Sequence, residues 1–277
     1  MRESPATGKS MKRLVALGLV MVVICAGNAH AETVTLVADG WCPYNCEPNA
    51  DKPGFMIEIA REAFGKHNIT VEYSNLPWAR AITEAREGNF TGIIGAYYGD
   101  APDFIFPSVP QGVSQFSFYV NAGDQWNYNG IDSLAGRSLG VINDYSYSLD
   151  LDAYIEKNKA DATLIQILSG DNAIDNNVKK LLAKRVDTII EDRQAMSYYL
   201  SPDEYASIRT SIRQAGTLPS GDDDNGAIFI AFSPKSPNAK KYADILSAET
   251  IEMSKNGALK EILGRYGIED FTAEYIK

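Results

Sequence analysis

Short apolar runs alternate twice with helix-period segments along this chain, and that alternation restricts the fold more than any other feature. In the first block, Thr33–Ala38, Ile69–Tyr73 and Thr91–Ala96 read as buried strands. Between them, 54–66 places Phe55, Ile59, Ala60, Ala63 and Phe64 on one helical face. The segment 77–87 does the same with Trp78, Ala81, Ile82 and Ala85, with Pro77 near its first turn and Gly88 closing it. The second block repeats the order. Strands are predicted at 138–142, 163–167 and 186–190, and helices at about 146–157, at 171–183 with Asp171 as N-cap, and from 191 through Tyr199. A late apolar strand, 226–232, precedes helices over about 238–255 and 257–266. Two β-α-β-α-β units imply two mostly parallel sheets covered by helices. Ligands bind such sheets outside the C-terminal strand ends, so two facing units would enclose one cleft.

The N-terminus predicts export. Arg2, Lys9, Lys12 and Arg13 precede an apolar run of 13 residues, Leu14 to Ala26, which ends at Ala29-His30-Ala31. Basic region, short apolar core and small-residue exit make a cleavable signal peptide over residues 1–31, and the run is too short for a membrane span of ~20 residues. Lipidation at Cys25 is the minor alternative, disfavoured by the bulky Ile24 before it. Without residues 1–31 the chain keeps 22 basic and 35 acidic side chains, a net charge of −13. That charge repels phosphate backbones, so no nucleic-acid partner is expected. Cys42 and Cys46 then remain, and an oxidising compartment favours their pairing over a metal or redox site.

Four further segments carry a family resemblance. They are Gly54-Phe-Met-Ile-Glu-Ile-Ala60 and Ala85-Arg-Glu-Gly-Asn-Phe-Thr-Gly92, then Arg185 to Asp192 followed by Ala195 and Tyr198-Tyr199-Leu200, and Leu259 to Tyr266. In order and spacing they resemble extracellular solute-binding proteins of family 3, the polar amino-acid type. The resemblance implies a type II periplasmic-binding fold of two α/β lobes hinged by two crossing segments. Lobe 1 would be 32–120 plus 226–277, and lobe 2 would be 121–225. It implies a monomeric periplasmic protein that captures a small polar solute, amino-acid-like or a related zwitterion or anion, for an inner-membrane ABC permease. No catalysis, cofactor or metal is implied. The resemblance departs at the turn after the third strand, where the family carries a carboxylate-clamping arginine. Here Tyr97 to Phe104 offers Asp100 and Asp103 instead.

Cleft candidates follow from strand ends and from the resemblance. Lobe 1 would contribute Trp41, Trp78, Tyr97 and Tyr98, each with core packing as the alternative role. Arg80, at the start of its helix, would take over the anion clamp, or else lie solvated on the helix face. Lobe 2 would contribute Asp192, matching the family's acid for a ligand amine, and the Tyr145–Ser146 turn within Asn143 to Ser146, whose backbone N–H groups bind a carboxylate in the family. Asp192 and Ser146 have helix N-caps as their alternative roles. Asp222-Asp223-Asp224-Asn225 lacks the ligand spacing of a calcium loop and reads as a solvated connector. Hydrolase, zincin and phosphate-loop motifs are missing. A lyase or dehydratase on the same fold, with Glu191 or Asp192 as poised acid, and a ligand sensor for a membrane receptor are the alternative functions.

Overall fold

Central parallel strands are buried on both faces and so read as continuous apolar runs. The strands β1 (Glu32–Ala38), β2 (Ile69–Asn75) and β3 (Gly92–Ala96) follow that rule in the computed structural model, which describes residues 1–3, 32–169, 172–219 and 226–276. The expected leader with its cleavage position and Cys25, the Asp171 cap and the Asp222–Asn225 run lie outside the described residues. Among the described residues no helix is long and apolar enough to cross a membrane.

The first sheet has the order β2-β1-β3-β10-β4, with β4 at Gly112–Val113 and β10 at Ala227–Phe232. The second has the order β7-β6-β8-β5-β9, from β5 (Phe116–Asn121), β6 (Leu139–Ile142), β7 (Ile165–Leu168), β8 (Thr188–Asp192) and β9 (Ile212–Thr217). Both repeat one plan. In each sheet the first two pairings are parallel, among β2, β1 and β3 and among β7, β6 and β8, and the last two are antiparallel, through β10 and through β5. Both antiparallel strands are the first to follow a crossing between sheets. Each sheet is therefore completed by chain that has just left the other. The first crossing falls at 114–115, and residues 116–120, expected in lobe 1, form part of the second sheet.

Helices α1 (Phe55–Gly65) and α2 (Trp78–Arg86) cover the first sheet. In α2 the buried stripe is Trp78, Ala81, Ile82 and Ala85, the face the spacing predicts. Helices α7 (Ala239–Asn256) and α8 (Ala258–Gly264) return to pack on α1. The second sheet carries α3 (Leu149–Asn158), α4 (Ala173–Leu182), α5 (Arg193–Tyr199) and α6 (Ala206–Ser211). Two boundaries depart from expectation for clear reasons. α3 starts at Leu149 because Ser148, not Ser146, is its cap, its side chain accepting from the Leu151 N–H at 3.3 Å. β8 lies about two residues later than expected because the Asp187 carboxylate takes the Ser138 N–H and hydroxyl, both at 2.8 Å, and so holds the chain in a turn before Thr188.

The loop after β1 carries the expected disulfide, Cys42–Cys46, with Cα atoms 4.7 Å apart. This loop caps α1. No side chain caps that helix; instead Phe55 and Met56 donate their N–H groups to the Pro43 and Tyr44 carbonyls at 3.0 Å. The fit requires glycine at position 54, where φ is +112° and a Cβ would lie 2.4 Å from the Tyr44 carbonyl oxygen. Gly54→Ala is expected to cost more than about 1 kcal/mol. Urea titration should show the midpoint falling with its slope unchanged.

Candidate functional site

Glu191 and Asp192 are consecutive in β8, so their side chains leave opposite faces of the strand. Asp192 is fully buried and accepts four hydrogen bonds. Oδ1 takes the Tyr44 hydroxyl at 3.0 Å and the Ala195 N–H at 2.8 Å. Oδ2 takes the Ser114 hydroxyl at 2.8 Å and the Gln115 N–H at 2.9 Å. The carboxylate thus joins the cysteine loop, the first crossing segment and the start of α5. Burial pushes its pKa up, while these donors oppose the shift by favouring the charged form. Glu191 accepts from the Trp41 indole N–H at 3.2 Å and from the Asp192 N–H at 2.9 Å. Burial, with Asp192 and Asp39 nearby, pushes its pKa up to about 8.

A cavity of about 20 Å³ lies where the C-terminal ends of the two sheets meet. It has room for one water-sized group. Trp41, Trp78 and Tyr97 wall it from the first sheet's side, Phe116 and Tyr145 from the second's. Trp41 and Trp78 each meet Tyr145 edge to face, at 6.3 and 6.4 Å between ring centres. Gly95 forms the floor, where its φ of +82° and missing Cβ let the Trp41 ring approach closely. Asp39, one residue beyond β1, accepts the Tyr145 hydroxyl at 2.8 Å across the cleft. Asp100 accepts the Tyr97 N–H at 2.9 Å on Oδ2, whereas its enclosed Oδ1 has no hydrogen-bond partner. Burial, with Asp152 and Asp39 nearby, pushes the Asp100 pKa up to about 8, against the Tyr97 and Ser146 amides. Among the described residues that line the cavity there is no lysine, arginine or histidine.

Of the residues singled out from sequence, Trp41, Trp78, Tyr97, Tyr145 and Ser146 stand around this cavity. Others stand elsewhere. Arg80 lies opposite the buried stripe of α2, 65% exposed, and pairs with Glu84 at 3.5 Å; the helix phase that buries Trp78 turns Arg80 to solvent. Tyr98 is 45% exposed and packs on Phe106 and Phe229. Asp192 has its acceptor sites filled by the protein, one of them by its own N-cap bond to Ala195. Asp103 pairs with Arg86 at 2.9 Å on the surface. The turn expected to take a ligand carboxylate is already served from within: Asp152 accepts the Tyr147 N–H at 3.0 Å and the Ser146 hydroxyl at 3.1 Å. Sequence reasoning missed Asp39, although its place just past a parallel strand was a usable signal. It also missed Phe116, because β5 was not recognised as a strand.

No family model matches the chain, and no curated protein matches it. Solved structures do. An ancestral arginine-binding protein bound to arginine is 17% identical, with a TM-score of 0.65 over 85% of this chain and 98% of the other. A structure concerned with glutathione import in Gram-positive bacteria through GshT and the cystine ABC importer TcyBC of Streptococcus mutans is 17% identical, with a TM-score of 0.69 over 85% and 94%. A histidine kinase sensor domain with similarity to periplasmic binding proteins is 14% identical, with a TM-score of 0.67 over 86% and 98%. The chain therefore has the two-lobed periplasmic-binding-protein fold, each lobe a mixed sheet flanked by helices.

Two measurements probe the carboxylates. Asp192→Asn replaces one acceptor oxygen by a donor that faces a hydroxyl or an N–H. It is expected to cost about 2 kcal/mol or more in denaturant titration. Asp100 faces Asp39 and Asp152, and Glu191 faces Asp39 and Asp192, with no basic residue in the cavity wall. Both carboxyls stay protonated in the folded chain to about pH 8, but when unfolded they ionise far earlier, in the ordinary carboxylate range. Between those limits the folded state binds more protons, so stability falls as pH rises. The surface acids with lowered pKa, Asp103 beside Arg86 and Asp124 under the Trp126 N–H, act only below the ordinary carboxylate range. The melting temperature should be higher at pH 5 than at pH 8, and Asp100→Asn should shrink that difference.

Proposed function

We propose that this protein is an exported, monomeric solute-binding protein whose two lobes close on a small polar organic solute and deliver it to an inner-membrane ABC permease. The observation that carries this reading is a cavity walled by side chains from both sheets and bridged by the Trp41–Glu191 and Tyr145–Asp39 hydrogen bonds. Such walls assemble only when the sheets come together, so a ligand between them would stabilise the closed arrangement. The crossing at 114–115 is a natural hinge position. The arginine-binding and importer-linked neighbours support the assignment, and the N-terminal pattern supports export to the periplasm. The sensor-domain neighbour favours one second reading, in which the closed form signals to a membrane receptor instead of feeding a permease.

A thermal-shift screen of the chain from residue 32 onward, followed by calorimetry, tests the reading. A saturable, unconverted ligand should raise the melting temperature, and small-angle scattering should show compaction on binding. Trp78→Ala is expected to weaken that ligand about tenfold or more, while Arg80→Ala leaves its affinity within about twofold, as for a solvated surface charge. Conversion of the ligand to a product would replace this reading with the enzymatic one.

A further inference from the structure

We propose that Tyr145 is a built-in plug that occupies the solute's place between Trp41 and Trp78, and that the solute displacing it is a small uncharged ring compound bearing a hydroxyl group. This rests on the solute-binding reading and narrows it.

The first support is what fills the cleft. Trp41 and Trp78 are each 5% exposed and are held without help from Tyr145. Trp41 stacks on Tyr44 at 4.2 Å between ring centres and donates its indole N–H to Glu191, while Trp78 lies in the buried stripe of α2. Tyr145 reaches them from the second sheet's side, meets both indoles edge to face and donates its hydroxyl to Asp39 at 2.8 Å. It supplies a ring to two aromatic walls and a hydroxyl to an acid, which is what a bound phenol would supply. About 20 Å³ is left beside it, room for one water-sized group. An organic solute can occupy this closed cleft only if a side chain leaves it.

The second support is that Tyr145 can leave. Phe116, the other ring on that side, belongs to β5, whereas Tyr145 stands on a turn. The turn is pinned on both sides of it: Asn143 donates its N–H to the Leu168 carbonyl at 2.7 Å, and Asp152 takes the Ser146 hydroxyl and the Tyr147 N–H. The Tyr145 N–H makes a long bond of 3.4 Å to the Ile142 carbonyl, and Asp144 before it has a φ of +58°, in the left-handed region. Rotating the Tyr145 side chain breaks its bond to Asp39 and leaves those pins intact. A groove of about 190 Å³ borders the same turn, lined by Tyr145 itself with Ile142, Tyr147, Ile155 and Ile167, the last 41% exposed. A ring turned into it covers apolar side chains, which limits the cost of leaving the cleft.

The chemistry of the solute follows from what it replaces. Burial holds the Tyr145 hydroxyl protonated, so the displaced group is neutral. A neutral ring with a hydroxyl leaves each acid of the cleft in the state it already has.

Calorimetric titration of the protein and of Tyr145→Ala tests this with four compounds: 4-methylphenol, which is the tyrosine side chain as a free molecule, toluene without the hydroxyl, and 4-hydroxybenzoate and tyramine as charged phenols. 4-Methylphenol should bind the unaltered protein, and bind Tyr145→Ala about tenfold or more tighter because no plug has to be displaced. Toluene and both charged phenols should bind about tenfold or more weakly than 4-methylphenol. Tyr145→Phe, which keeps the ring and loses the bond to Asp39, should gain about threefold and serves if the first variant does not fold. Tighter binding by a variant could also come from the hole it makes, so the unaltered protein decides: saturation with 4-methylphenol should raise the nitration of Tyr145 by tetranitromethane, mapped by mass spectrometry. Tyr145 nitration that falls or stays constant, equal or weaker binding to both variants, or toluene or a charged phenol binding as tightly as 4-methylphenol would overturn the assignment while leaving the solute-binding reading in place. If no phenol binds the unaltered protein while a solute of another class does, the assignment also falls and the broader reading stands. If no compound of any class binds, both fall.

Discussion

The Asp192 carboxylate ties together three separate parts of the molecule with its four hydrogen bonds. It sits at the end of β8, where the first crossing segment passes and the cysteine loop arrives, and it takes a donor from each. A carboxylate in that position is costly to bury, and four donors are what make it tolerable. Those donors in turn set the neighbourhood. Tyr44 is drawn toward β8, which brings Trp41, stacked on Tyr44 at 4.2 Å, into reach of Glu191. Ser114 and Gln115 are fixed at the crossing, which seats β5 beside β8 and puts Phe116 into the cavity wall. The aromatic cavity is thus a consequence of how one buried acid is satisfied.

That arrangement explains how much was legible from sequence. The parallel strands and the amphipathic helices announce themselves, because burial of both strand faces or of one helix stripe leaves a direct apolar imprint, as in Gly92–Ala96 and in Trp78 to Ala85. Strands β5 and β9 left none of that form. Phe116–Asn121 breaks the strand-helix alternation because its partners lie some 70 and 100 residues away, and Ile212–Thr217 is an edge strand in which only Ile212 and Ala215 are buried. Pairings of that kind are non-local and invisible to a window. Strand ends did point to Trp41, Tyr97 and Tyr145. Ser146 is suggested by the resemblance and Arg80 by its place at a helix start, whereas the structure pairs Arg80 with Glu84 and gives the Ser146 hydroxyl to Asp152. Neither partner can be read from spacing alone, since Arg80 differs from the buried Trp78 by only two positions.

The electrostatic sense of the cleft follows from the same details. An ordinary binding cleft for amino acids must satisfy two opposite charges at once. Here the donors that would serve an anion are consumed by Asp152 and by Asp192, both of which belong to the protein. What remains facing the cavity is acceptor and π surface: Asp39, Asp100 and five rings.

The same burial governs the acids at the cleft. Asp100 and Glu191 are shut away from water beside other carboxyls and respond by holding their protons, which is the physical meaning of pKa values near 8. Ionising either one at higher pH leaves a charge among aromatic rings, so the place where the two sheets meet is the part of the molecule that alkali disturbs first.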